Sequence, residues 1–266
     1  MTAAAAGGDT DDVTVTVEGD VGIVTLHQPP HNLLTAPLLR QLADALHGFG
    51  ASARAVVLAS EGRSFCAGAN FRSNEAPDPT EGGGFEAQTG AFYAQAARVF
   101  DSPLPVVAAI QGAAIGAGFG LALACDVRVV GADGWFQANF VRLGIHPGFA
   151  LSTVLPQVIG PARATELFLT GRRVGADEAM AIGLASRSVE AGHEVAGATE
   201  LAGEIAAGAP LAVAATRATL RRGLGAAARS AMRHELAEQT ALAGTADAVE
   251  GVSAVLAGRP PHFVGR

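Results

Sequence analysis

The stretch 111–126, QGAAIGAGFGLALACD, decides how the rest of the chain is read. Three glycines, Gly116, Gly118 and Gly120, crowd the start of an apolar run that otherwise has the composition of a buried helix. Glycine in a helix interior costs roughly 1 kcal/mol relative to alanine. Several in so short a span indicate that something comes very close to the backbone there. The run carries no ionisable group before Asp126. A group bound at this turn would therefore meet peptide N–H donors, not charged side chains.

The neighbouring sequence places this run in an alternating pattern. Residues 103–125 are uncharged and long enough to cross a bilayer, but Pro103, Pro105, Gln111 and Gly112 interrupt the first half. Val106, Val107 and Ile110 instead read as a buried strand, and the following part as a buried helix. Upstream, VTVTVEGDVGIVTLHQ (13–28) alternates around a Gly-Asp turn and predicts a hairpin. NLLTAPLLRQLADALHGF (32–49) has helical periodicity, with Thr35 as N-cap and Pro37 just inside. ARAVVLAS (53–60) is a short buried strand, and SFCAGAN (64–70) a second extended piece ending in a turn. Residues 71–86 are polar and rich in Pro and Gly, a mobile loop or lid carrying Glu75, Asp78 and Glu81. AQTGAFYAQAARVFDS (87–102) is an amphipathic helix and CDVRVVG (125–131) a strand.

Strand pairs alternating with helices predict an α/β fold of stacked ββα units. From about 149 the pattern becomes helix after helix, with FALSTVLPQVIG, PARATELFLTG and GADEAMAIG followed by three longer helices to about 256. The expected organisation is a disordered leader (1–12), a core (13–195) and a helical C-terminal region (196–266) that serves as an oligomerisation element or a cover.

Composition narrows the function. The 266 residues carry a net charge of −7, and every basic residue is arginine. An acidic chain with no basic run does not fit a nucleic-acid binder, yet a few arginines can still hold a small anion. Cys66 and Cys125 show neither disulfide nor zinc spacing and read as buried thiols in a reducing cytoplasm. The N-terminal residues lack the basic and apolar regions of a signal peptide.

Two small-residue turns each follow a strand, Ala67-Gly68-Ala69 and Gly116-Ala117-Gly118, and the second opens a helix. Taken alone, both are ordinary close-packing turns. Facing each other, they would direct two N–H groups at one oxygen and form an oxyanion hole.

PPHNLLT (29–35), EGRSFCAGANF (61–71), PLPVVAAIQGAAIGAGFGLALACDVRV (103–129), LGIHPGFA (143–150), GPARATELFLTGRRVGADEAMAIGL (160–184) and EGVSAVLAGRPPHF (250–263) follow in order along most of the chain. Together they resemble the crotonase superfamily of enoyl-CoA hydratases and isomerases. The resemblance implies a crotonase-like (ClpP/crotonase) spiral of ββα units with an α-helical C-terminal segment. It also implies a trimer or dimer of trimers, and a coenzyme A thioester as substrate with no metal or redox cofactor. The oxyanion donors would be the N–H groups of Ala69 and Ala117, next to Gly116. The coenzyme would run along His31, Leu33, Ala67, Asn70 and Phe71, with Arg259 and Phe263 in the tail, and Arg63, as weaker candidates for its phosphates and adenine.

The same resemblance marks two departures. Family hydratases carry one glutamate three residues after the second donor and another twenty residues further on. Here those positions hold Gly120 and Phe140, which transfer no proton and leave that side of the pocket roomier and uncharged. His146, six residues past Phe140, is the candidate acid or base, or else a structural histidine bonding a backbone carbonyl before Pro147. Tyr93, Asn139 and Arg142 could also reach the pocket, and Cys66 is a nucleophile candidate or a buried thiol. The expected chemistry is isomerisation, hydrolysis or decarboxylation, not standard hydration. The alternative is an acyl-CoA binding protein that keeps the fold without catalysis.

Overall fold

Residue alternation along the central strands decides what each helix covers. The structure, a computed structural model, describes residues 12–70 and 84–266. β1 (Val13–Glu18) and β2 (Val21–Leu26) form the antiparallel hairpin. β3 (Ala55–Ser60), β4 (Val106–Ile110), β6 (Val127–Gly131) and β9 (Arg187–Val189) extend it in parallel, in the order β1-β2-β3-β4-β6-β9. All residues of β3 and β4 are buried, as expected for parallel strands covered on both faces. Val57, Ala59, Val107 and Ala109 face one way, towards Ala198, Ala202 and Ala206 of α7 (Glu194–Ala206). Val56, Leu58, Ala108 and Ile110 face the main core with α1 (Ala36–His47) and α2 (Phe85–Phe100). Thr35 caps α1 by accepting from the Leu38 N–H at 3.2 Å, and Pro37 lies in the first turn.

A second sheet stands beside the first. β5 (Ala113–Ile115) pairs in parallel with β7 (Trp135–Gln137), which pairs antiparallel with β8 (Arg173–Gly175). The segment expected to be extended at 64–70 forms isolated bridges, Ser64 to Gly112 and Cys66 to Ala114, rather than a strand of its own.

The remaining helices are α3 (Ala117–Ala124), α4 (Leu151–Ile159), α5 (Pro161–Thr170), α6 (Ala176–Ala181), α8 (Pro210–Leu220), α9 (Leu224–Ala243) and α10 (Ala246–Leu256). After α6 there are thus four helices where the sequence reading placed three. The chain breaks at Gly223, in the left-handed region with φ +79°, and at Gly244 just beyond α9. Asp126 ties α8 to the core. Its carboxylate accepts from the Val106 N–H at 2.8 Å and pairs with Arg217 and Arg221 at 2.9 and 3.0 Å. No helix among the described residues is long and apolar enough to cross a membrane.

Each glycine of the 116–120 turn now has its own cause. Gly116 has φ +54°, a conformation that L side chains rarely adopt. At Gly118 a Cβ would stand 2.1 Å from the Cys66 carbonyl oxygen and 2.7 Å from its carbon. At Gly120 it would stand 2.6 Å from the Phe149 Cβ. The close approaches at Gly118 and Gly120 are therefore made by the protein itself. Phe149 fills the space over Gly120, so that side of the pocket is not the roomy one the sequence suggested.

Gly118→Ala forces two backbones apart. Its expected cost is at least about 2 kcal/mol in chemical denaturation. Gly203→Ala, in the interior of α7 with nothing within 4 Å of the added Cβ, is expected to gain about 0.5–1 kcal/mol.

Candidate active site

Two backbone ladders bring the small-residue turns together. The Cys66 N–H donates to the Ala113 carbonyl and the Ile115 N–H to the Cys66 carbonyl, both at 3.0 Å. The turn at Ala67–Ala69 therefore lies alongside the turn at Gly116–Gly118. On its other edge the first segment pairs with Leu34. The Leu34 N–H donates to the Gly68 carbonyl at 2.8 Å, and the Asn70 N–H to the Leu34 carbonyl at 2.9 Å. In a parallel bridge of this kind the residue between the two bonds, Ala69, turns its own N–H to the opposite edge. Ala117 is the first residue of α3, where an amide has no partner within its helix. Among the described residues neither N–H donates to a backbone carbonyl. Both residues line one cavity of about 650 Å³.

The cavity wall is largely apolar. Phe92, Phe140, Leu143, Ile145 and Phe149 form much of it. The polar side chains among its described residues are neutral, including Asn139 before the 3₁₀ turn Phe140–Leu143, Thr89 on α2 and Gln239 on α9. The one titratable side chain among the described lining residues is Tyr93. Its hydroxyl donates to Gln239 Oε1 at 2.9 Å, and Gln239 Nε2 donates to the His146 carbonyl, also at 2.9 Å. Burial, with Glu235 nearby, pushes the Tyr93 phenol above its ordinary value. Gly148 makes room for the pair, since a Cβ there would stand 2.1 Å from the Tyr93 oxygen.

One turn before Gln239 on α9, the fully buried Glu235 accepts from the Ala150 N–H at 2.8 Å, the Ser152 N–H at 3.1 Å and the Ser152 hydroxyl at 2.5 Å. Desolvation raises its carboxyl above the usual range, opposed by these three donors. The loop it grips contains two successive left-handed residues, Phe149 and Ala150, with φ +61° and +59°. Glu235 and Gln239 thus fix the loop that lays Phe149 against Gly120.

Of the residues nominated from sequence, Ala67, Ala69, Asn70, Tyr93, Gly116, Ala117, Asn139 and Phe140 line this cavity. Gly120 does not, being buried under Phe149. Leu34 lines it where Leu33 was nominated. His31 is exposed, with Nδ1 3.1 Å from the Ser64 hydroxyl. Phe71, Glu75, Asp78 and Glu81 lie outside the described residues, as does the leader before residue 12. His146 is not among the lining residues. Its Nδ1–H donates to the Pro147 carbonyl at 2.8 Å, and its ring packs on His234, with centroids 5.7 Å apart. Arg142 is also absent from the wall, its Nε–H donating to the Thr170 carbonyl at 3.1 Å. Cys66 is fully buried and pushed up to about 12 by desolvation, which leaves it a thiol at neutral pH. Arg259 is held by Glu250 through two bonds of 2.6 and 2.7 Å, and Phe263 is 39% exposed on the tail. The sequence reading missed Gln239 and Thr89, which reach the wall from separate helices with no local motif to mark them.

The family model described as enoyl-CoA hydratase/isomerase matches residues 16–266. A probable enoyl-CoA hydratase from Rhodobacter capsulatus is 36% identical over 251 residues, covering 92% of this chain and 95% of that protein. A carnitinyl-CoA dehydratase from Proteus mirabilis is 34% identical, with 95% and 98% covered. The crystal structure of an enoyl-CoA hydratase from Mycobacterium avium subsp. paratuberculosis superposes with a TM-score of 0.81 at 27% identity, covering 96% of this chain and 99% of that one. With its α/β architecture and helical C-terminal segment, the chain belongs to the enoyl-CoA hydratase/isomerase family of the crotonase superfamily.

Proposed function

We propose that this protein is an enzyme that forms an enolate on a coenzyme A thioester, with the Ala69 and Ala117 N–H groups as its oxyanion donors. The supporting observation is that both residues line one cavity and that, among the described residues, neither amide has a backbone acceptor of its own. Peptide donors fixed by backbone ladders need no reorganisation when charge develops on the thioester oxygen. CoA reaches them along the Leu34–Thr35 and Ala67–Asn70 segments, with His31 at the exposed end.

The glutamate pair of family hydratases has no counterpart at its two usual positions, where Phe149 covers Gly120 and Phe140 is part of the wall. The reaction that fits best is hydrolytic C–C cleavage. Water adds to a carbonyl on the acyl chain, the bond to the thioester α-carbon breaks to leave a carboxylic acid and a thioester enolate, and the enolate takes up a proton. A double-bond shift would need a base, and the described lining residues offer none. Tyr93 is assigned the role of protonating the enolate. A phenol pushed above its ordinary value stays protonated at neutral pH and serves as an acid rather than a base. In the free protein that proton is donated to Gln239 Oε1, so its transfer to the enolate requires the hydroxyl to turn from Gln239 to the substrate carbon. Self-association is part of the same proposal. Leu211 and Leu220 at the two ends of α8 are 87% and 82% exposed, apolar surface that a second copy would cover.

Ala117→Pro removes one donor at a helix position that tolerates proline. Turnover of an acyl-CoA panel is expected to fall about 10²–10³-fold. Ala117→Gly is expected to stay within about threefold, since it keeps the N–H and costs little conformationally. Equal behaviour of the two variants, or binding of the panel without any product, would contradict the assignment. The second outcome would favour an acyl-CoA binder. Tyr93→Phe should lower kcat at least about 10²-fold with CoA-thioester binding retained. With Tyr93 protonated below its raised value, kcat/KM should show no limb near pH ~6.5, and His146→Gln should not change the profile. Sedimentation velocity is expected to give a trimer or a dimer of trimers.

A further inference from the structure

The cavity wall carries polar groups that a plain hydrocarbon chain would leave unpaired. Asn139 and Thr89 both line it, half-buried, and among the described residues neither side chain has a hydrogen-bond partner. Asn139 is also placed close to the reacting centre. Its Oδ1 stands 3.2 Å from where a Cβ on Gly116 would be, so the amide lies over the residue immediately before the Ala117 donor. If a thioester carbonyl meets the Ala117 N–H, the first carbons of its acyl group come within reach of this amide.

We infer that the acyl group recognised by this protein bears an uncharged oxygen, a carbonyl or a hydroxyl, on the carbons next to the thioester, and that Asn139 hydrogen-bonds it. The inference rests on the thioester reading above and adds the class of acyl group. Water can satisfy the Asn139 amide in the free enzyme. An alkyl chain displaces that water and leaves a desolvated amide without a partner, a loss of about 1–3 kcal/mol. An oxygen on the chain replaces the water and avoids that loss. The same wall disfavours an ionised substituent, because it holds no arginine or histidine among its described residues. Sites built this way discriminate by hydrogen-bond pairing far more sharply than by chain length.

The test compares binding, by calorimetry, and turnover of butanoyl-, 3-oxobutanoyl-, 3-hydroxybutanoyl- and succinyl-CoA. The wild-type protein is expected to favour at least one of the two uncharged oxygenated thioesters over butanoyl-CoA by about 10–100-fold in Kd or kcat/KM. The oxo and hydroxyl arms identify which oxygen is read. Asn139→Leu, close in size, should reduce that preference to below about fivefold, mainly by improving or preserving butanoyl-CoA binding. Thr89→Val serves as the companion variant, and a thermal melt checks that each is folded. Equal affinity for butanoyl-CoA and both oxygenated thioesters would overturn the inference while leaving the thioester reading intact. So would a preference that survives Asn139→Leu, or a succinyl-CoA preference. Failure of every thioester to bind would instead overturn the thioester reading, and this inference with it.

Discussion

The contact between the Cys66 carbonyl and the Cα of Gly118 is the constraint on which the site depends. Two backbone segments, far apart in sequence, approach more closely there than any side chain allows. The ladder bonds of Cys66 to Ala113 and Ile115 hold them at that separation. The donors on either side, Ala69 and Ala117, are therefore placed by main-chain geometry alone, without a rotamer to select. A site of this kind carries little side-chain entropy to lose on binding and no charge to desolvate. Its precision lies in the packing of the sheets, which explains why the glycine cost in α3 is tolerated.

A second layer of control comes from α9. Glu235 and Gln239, one turn apart, hold the 146–152 loop and the Tyr93 hydroxyl in one network. The loop needs holding, since successive left-handed non-glycine residues are each disfavoured by about 1–2 kcal/mol. A buried carboxylate with three donors supplies the compensation, and its own burial is tolerable because each oxygen is bonded. The result is a wall in which Phe149, not an acid, covers α3. The chemistry available at the thioester follows from that placement as much as from the pair of amides.

The parts of the fold legible in the sequence are those with local signals. The hairpin over 13–26 alternates cleanly, α1 carries its Thr35 cap and Pro37, and the uninterrupted apolar strands β3 and β4 announce burial on both faces. The second sheet was not legible. β5, β7 and β8 are three residues each, too short for any period, and exist because neighbours offer them bonds. The helix count after α6 was blurred by alanine-rich sequence in which Gly223 and Gly244 are the only sharp stops near α9. At the site, the two glycine turns could be found from motif and order. His146 was drawn in by its proximity to Phe140 in sequence, yet its ring bonds the next carbonyl and leaves the wall. Tyr93 and Gln239 meet across 146 positions, a pairing that only the assembled helices create.

The grip of α9 on the reaction chamber bears on how this family can diversify. A C-terminal helix that merely sheathed the core could be exchanged between relatives without touching their chemistry. Here the exchange would carry Glu235 and Gln239 with it, and with them the aim of a phenol rooted in α2. Recombination joining the N-terminal half of one ancestor to the C-terminal third of another would alter the setting of the Tyr93 hydroxyl in one step, leaving the Ala69 and Ala117 amides untouched.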